Sequence, residues 1–257
     1  MVVLGQPAVI TLAAVLGLAV GSFLNVVILR TRQEMSPLRG RSRCPHCHAE
    51  LRWFELIPLM SFVIQGGRCR RCHKYISWQY PLVEGLTAVL FGIVAWQVGW
   101  HWLLAVDLVL VAALIAVAVY DWRWALLPDG FTITLGVVGA VVAWMAHLPV
   151  LDIAIGGAAG AGFFALQYYG SRKRWVGSGD VLLGAALGLL LGWRMLGLAL
   201  LLAYFIGAIV AAILLLSKIK STTSSMAFGP YLAFGAFVAW LWGANLVDWY
   251  FQHAIFR

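Results

Sequence analysis

The sequence predicts an all-α polytopic membrane protein of about eight transmembrane helices, with a small cytoplasmic, zinc-ribbon-like loop domain after the first. Three observations carry this. Of 257 residues, 63% are hydrophobic and only 11% charged, too few polar side chains to clothe a soluble globule. Apolar runs of membrane-crossing length, roughly 17 to 25 residues, recur along the chain. All four cysteines fall in the one long polar stretch, as two C-x-x-C pairs.

In chain order, the first apolar run, 7–29, lacks the basic n-region and A-x-A site of a cleaved signal and reads as a retained span. Residues 30–78 form the polar loop domain, and 79–257 a seven-helix core. Its spans are expected near 80–98, 102–120, 129–147, 151–169, 180–193, 195–216 and 227–247. The stretch 181–217 must hold two of them, with Arg194 at the turn between.

Basic residues in short loops favour the cytoplasmic side. Ten of the 18 lie between Arg30 and Lys74. Placing that loop inside brings Arg123, Arg172, Lys173, Arg174, Lys218 and Lys220 with it, and leaves only Arg194 and Arg257 outside. A multi-pass protein of a bacterial inner membrane, with both termini periplasmic, satisfies this alternation. The net charge of +8 hugs the spans, so the bilayer with its anionic lipids is the expected partner and nucleic acid is not.

The cysteines stand as Cys44-Pro-His-Cys47 and Cys69-Arg-Arg-Cys72, with 21 residues between the pairs. Paired thiolates two residues apart grip one side of a tetrahedral ion, and the second pair closes the other, so a structural zinc site is expected. Two disulfides or a redox motif are the alternatives; a cytoplasmic loop is reducing, and no βαβ pattern surrounds it. His46, His48 and His73 flank the knuckles as solvated neighbours or as replacement ligands. A segment of 49 residues is too short for a self-sufficient core, which makes a metal clip physically reasonable.

Burying a carboxylate in a membrane needs a reason, and five stand at or within the spans: Glu84, Asp107, Asp121, Asp129 and Asp180. Asp121 closes the third helix and Asp180 opens the sixth in Gly177-Ser-Gly-Asp180, both on the cytoplasmic side. Glycines 177 and 179 permit tight turns and close approach of an extended substrate strand. Two carboxylates brought together can share a proton, one activating water while the other polarises the scissile carbonyl. Helix direction makes Asp180, at a positive N-terminus, the expected base and Asp121, at a C-terminus, the expected acid. Each Asp taken alone also reads as a helix cap. Asp129, after Pro128 in the first turn of the fourth helix, fits that reading best. Glu84 and Asp107 read as polar contacts between helices or as groups facing a charged substrate.

These residues resemble the type IV prepilin peptidase (leader peptidase/N-methyltransferase) family of GxGD membrane aspartyl peptidases over most of the chain. The matching elements are Gly21-Ser-Phe-Leu-Asn-Val-Val-Ile-Leu-Arg30, both cysteine knuckles, Glu55-Leu-Ile-Pro-Leu59, Ile76-Ser77, Tyr80-Pro-Leu-Val-Glu84, Asp121 to Asp129, Gly177 to Asp180, and Phe228-Gly-Pro-Tyr-Leu232. The resemblance implies a catalytic pair at Asp121 and Asp180, with Gly177, Gly179, Asp129 and Glu84 in support. It implies a zinc-bearing loop at Cys44, Cys47, Cys69 and Cys72. The implied substrates are type IV prepilins or type II secretion pseudopilins, cut after a glycine behind a basic leader. Methylation of the new N-terminus from S-adenosylmethionine would follow, and the cysteine loop favours that bifunctional enzyme over a peptidase alone. Many relatives carry an acidic residue and Met before the second motif and a Lys two residues after its Asp, where this chain has Trp175, Val176 and Leu182. The basic cytoplasmic face would repel a basic leader, and anionic lipid is the expected recruiter of both. The reading from another class is a non-catalytic membrane assembly factor that uses its zinc loop to dock a secretion ATPase or scaffold.

Overall fold

A computed structural model describes residues 5–218 and 226–255, so Lys220 and Arg257 of the charge alternation lie outside the described residues. All the regular elements among them are helices, and the cysteine loop is largely irregular, with two isolated β-bridges. The chain forms two compact units, residues 1–112 and 113–257, which meet within one helix.

The first unit is built on α1, Gln6–Arg32, and α3, Gln79–Val98, joined by the cysteine loop with its short α2, Met60–Ile64. Antiparallel pairing of α1 and α3 follows from small residues. A Cβ on Gly17 would stand 2.7 Å from the Ala88 Cα, and one on Gly21 2.7 Å from the Glu84 Cα, so the backbones touch where side chains are missing. Along the same seam the Asn25 side chain donates to the Tyr80 carbonyl and accepts from Gln79, and at the far end Gln6 donates to the Trp96 carbonyl. The inward face of α3 carries buried Glu84 and Thr87, while Leu82, Leu86 and Val89 point outward. An apolar exterior around a partly polar interior is stable in hydrocarbon and not in water.

The helix α4, Leu104–Trp124, starts in the first unit and ends in the second. There follow α5, Asp129–Met145; α6, Val150–Gly170; α7, Ser178–Leu216; and α8, Gly229–Tyr250. A straight helix of 39 residues would run about 58 Å. Instead α7 breaks at Gly192, whose φ of 64° and ψ of 173° are open essentially to glycine alone. The contacts of the two arms show that the chain turns back there. Residues 184 and 188 press on Gly160 and Gly156 of α6, running antiparallel to it, and Gly192 reaches Asp152 near that helix's start. Beyond the break, Tyr204 returns to Gln167 near the end of α6.

Among the described residues six helices are long and apolar enough to cross a membrane, and α5 is a shorter apolar helix of 17 residues. With α7 counted as two arms, 178–191 and 193–216, the described residues contain eight apolar helical segments, in agreement with the expected arrangement. The turn itself needs correcting: it falls at Gly192, and Arg194 lies in the second arm with its guanidinium over the Trp193 ring. Hydropathy and charge locate a turn within a residue or two, whereas backbone permissiveness selects the residue.

Candidate active site and metal centre

In the second unit, the last turn of α4, the first turn of α7 and the start of α8 meet. Asp121 is buried, and its Oδ2 accepts the backbone N–H of Gly229 at 2.7 Å. No side chain fits at position 229, because a Cβ would lie 2.8 Å from that oxygen. Asp180 is partly buried and accepts the N–H of Gly177 at 2.8 Å, closing the first turn of its own helix. The two carboxylates, from helices separated by more than fifty residues, come close enough for the charge of Asp180 to act directly on Asp121.

The two motif glycines differ in what they do. Gly179 packs under Leu127, where a Cβ would approach that side chain to 2.7 Å. It thereby fits the first turn of α7 beneath the segment joining α4 to α5. Gly177 is exposed, and a Cβ there would meet nothing but its own turn, Asp180 Oδ2 at 3.5 Å and the Gly179 nitrogen at 3.9 Å, so it is the glycine that leaves room beside the carboxylate. Asp129 is exposed in the first turn of α5, as a helix-start residue would be. Glu84 belongs to the first unit, where its carboxylate accepts the N–H of Leu59 at 2.8 Å and ties the cysteine loop to α3. Asp107 is buried in the first turn of α4.

Sequence reasoning gave no role to the aromatic wall of the carboxylate site. Phe228 packs on Tyr204 with ring centroids 4.7 Å apart and the planes tilted by 55°, and it also meets Phe164 and Tyr231. The Tyr204 hydroxyl donates to Gln167 Oε1 at 3.0 Å, and the tyrosine lies within reach of the Asp180 charge. One signal was available: Tyr204 is the sole tyrosine of the long apolar run 181–217. Pro230 beside Gly229 marks a helix start but says nothing of a carboxylate partner.

In the first unit the two knuckles repeat each other at a spacing of 25 residues. Cys44 N–H donates to the Ala49 carbonyl and Cys69 N–H to that of Lys74, at 3.0 and 2.9 Å. His48 and His73 hold φ of 54° and 56°, each turning the chain back with its N–H on the carbonyl of its knuckle's first cysteine. Both are exposed and shape the turns, outside the group of four sulfurs. The two copies face each other and bring the four Sγ atoms within 4.8 Å of one another. Cys44 and Cys72 sulfurs stand 3.9 Å apart, against about 3.8 Å for two sulfurs on a tetrahedral ion with Zn–S near 2.3 Å. All four thiols are free, so the donor set fits zinc. Burial pushes the Cys44 thiol up to about 11, whereas backbone N–H groups of Cys72 and Arg71 pull Cys69 down to about 7.

The knuckles hang from α1 by one side chain. The Arg30 guanidinium donates to the carbonyls of Ser36, Pro37, Arg39, Gly40 and Arg41, folding the chain after α1 around itself.

Comparison with known proteins gives a consistent picture. Residues 15–98 match the family model described as the bacterial peptidase A24 N-terminal domain, and residues 108–212 that of the type IV leader peptidase family. The chain is 36% identical to the prepilin leader peptidase/N-methyltransferase of Stutzerimonas stutzeri, over 96% of this chain and 95% of that one. It is 35% identical to the protein of that name from Pseudomonas aeruginosa, over 94% and 93%, and 34% identical to that of Neisseria gonorrhoeae, over 97% of both. No solved structure matches.

Proposed function

This chain belongs to the type IV leader peptidase family, and we propose that it cuts the leader from prepilin-like precursors with Asp121 and Asp180 and then methylates the exposed N-terminus. The observation that carries the peptidase half is the convergence of those two carboxylates at one end of a helical membrane unit.

The chemistry follows from that pairing. The ionised carboxylate takes a proton from water as its oxygen attacks the scissile carbonyl, while the protonated partner hydrogen-bonds the carbonyl oxygen. Collapse of the tetrahedral intermediate expels the amine, which takes up a proton from the dyad. Asp180, at the positive end of α7 and beside exposed Gly177, suits the base; Asp121, deeper and last on α4, suits the acid. The first arm of α7 spans about 21 Å at helical rise, against roughly 30 Å of hydrocarbon. Asp180 therefore lies below headgroup level in this reading, where a soluble leader gives way to a membrane-embedded segment. Exposed Trp175 and Leu182, which replace the polar residues of many relatives, line the approach and favour an apolar contact with the substrate.

Sidedness belongs to the same proposal. In the second unit Arg123, Arg172, Lys173, Arg174 and Lys218 gather at the helix ends that carry the dyad, and Arg194 at the opposite ones, as a cytoplasmic active site in the inner membrane requires. For methyl transfer, the proposed co-substrate is S-adenosylmethionine. The four cysteines would hold a structural zinc ion that fixes the loop and supplies no open coordination position.

Co-expression with a pilin-like precursor and intact mass analysis of the product tests this. Wild type is expected to remove the leader and add the mass of one methyl group. Asp121→Asn and Asp180→Asn should each lower cleavage by roughly 10²- to 10⁴-fold. Unchanged processing by both variants would overturn the peptidase mechanism in favour of an assembly factor, and a product without the added methyl would leave a peptidase alone.

A further inference from the structure

The cysteine loop carries an apolar patch that neither the dyad nor the metal site uses. Trp53, Val63, Ile64 and Trp78 are 70 to 78% exposed, and Met60 stands with them. On a segment in water, so many large apolar side chains in one place need a covering. Two observations say what covers it. First, the Phe62 ring lies against Trp78 at 5.0 Å, and Trp78 immediately precedes α3, whose Leu82, Leu86 and Val89 form the outward apolar stripe. The patch is thus continuous with a surface that meets acyl chains. Second, the residues around it are basic. Among the described residues of this loop the ion pairs are those of Arg41 and Arg43 with Glu50, while Glu55 is engaged by the backbone N–H of Arg52. Arg68 donates to the Tyr75 hydroxyl and lies over its ring, and Arg70 lies over the Phe54 ring; neither contact neutralises a charge, so these two with Arg71 and Lys74 keep theirs for an anionic surface.

We propose that residues 53–64 together with Trp78 form an interfacial anchor that lies in the headgroup region and seats the cysteine knuckles on the membrane surface. The apolar side chains enter the boundary between headgroups and acyl chains, and the arginines meet lipid phosphates. Phe62, Val63 and Trp78 also line a groove of about 340 Å³ that admits the upper part of an acyl chain. The Glu84 bond to Leu59 and the Arg30 cage then act as two tethers that hold the anchor at the depth where α1 ends and α3 begins.

The test uses the full-length protein in nanodiscs of phosphatidylcholine with a minority of phosphatidylglycerol, and does not depend on enzymatic activity. A benzoylphenylalanine photoprobe replaces Val63 in one variant and Ile64 in another, with exposed His46 on the first knuckle as the comparison site. After irradiation, intact masses should show phospholipid adducts at 63 and 64, enriched in phosphatidylglycerol, and several-fold fewer at 46. Adducts to a second copy of the chain or to an added pilin-like precursor would overturn the proposal in favour of a protein-docking face. Equal lipid labelling at all three sites, or none at 63 and 64, would also overturn it.

Discussion

Gly229 shows how much of the carboxylate site depends on an atom that is missing. Its N–H supplies a hydrogen bond to Asp121, and the same backbone must approach so closely that a Cβ would meet Asp121 Oδ2 at 2.8 Å and its Cβ at 3.0 Å. Gly229→Ala is therefore expected to push the carboxylate off its position. A misplacement of about 1 Å costs roughly 10²-fold in rate. Cleavage of a precursor by this variant should fall by about that factor while its melting temperature stays near that of wild type, and wild-type rates would refute the steric role. The two aspartates were legible from sequence because a carboxylate at a membrane boundary is expensive and therefore informative. Gly229 was not, since a glycine before a proline at a helix start is common and its partner stands 108 residues away. Gly179 was legible as a necessity, and the structure adds a reason the sequence did not show: its missing side chain accommodates Leu127 of the same chain.

At the scale of elements, the hairpin of α7 brings Asp180 and Tyr204 to the same end of the unit. Its one irregular residue is Gly192, where a Cβ would also press to 3.3 Å on Leu148. Forcing a non-glycine residue into that region of φ and ψ costs on the order of 1–3 kcal/mol. Gly192→Ala should accordingly lower the melting temperature measurably in detergent. Gly162→Ala, in open space on α6, should leave it unchanged or slightly raised. Equal melting of the two variants would mean that the turn bears no backbone strain. The number of helical segments was legible because each long apolar run must be a span and each cluster of arginines must lie at an end. Phe228 was opaque at the same level, and Tyr204 stood out only as the sole tyrosine of its run: packing alone shows which residues inside spans face the carboxylates.

Across the whole molecule, two kinds of stability coexist. Small residues let helix backbones meet in both units, as at Gly17, Gly21, Gly156 and Gly160, and that packing owes nothing to the knuckles. The knuckles in turn lack a hydrophobic core, and Cys44, Gly67 and Cys69 are the only buried residues across 42–51 and 67–76. Their order should come from the metal, which makes it depend on protons. Cys69, near 7 in the free protein, gains a proton as the pH falls through neutrality, whereas Cys44, near 11, is protonated throughout the working range and must always release its proton to bind. Protons therefore compete with the ion. Apparent zinc affinity is expected to fall with decreasing pH by about tenfold per unit for each proton released on binding, and more steeply below about pH 7, where Cys69 joins. Competition with a colorimetric chelator at pH 6 and pH 8, on full-length protein in nanodiscs, measures this directly. Chelation should raise hydrogen exchange across residues 42–51 and 67–76 and leave exchange in α6 and α7 unchanged. An affinity independent of pH would mean that thiolates do not hold the ion, and loss of protection in α6 and α7 would mean that the membrane helices depend on the knuckles for their order.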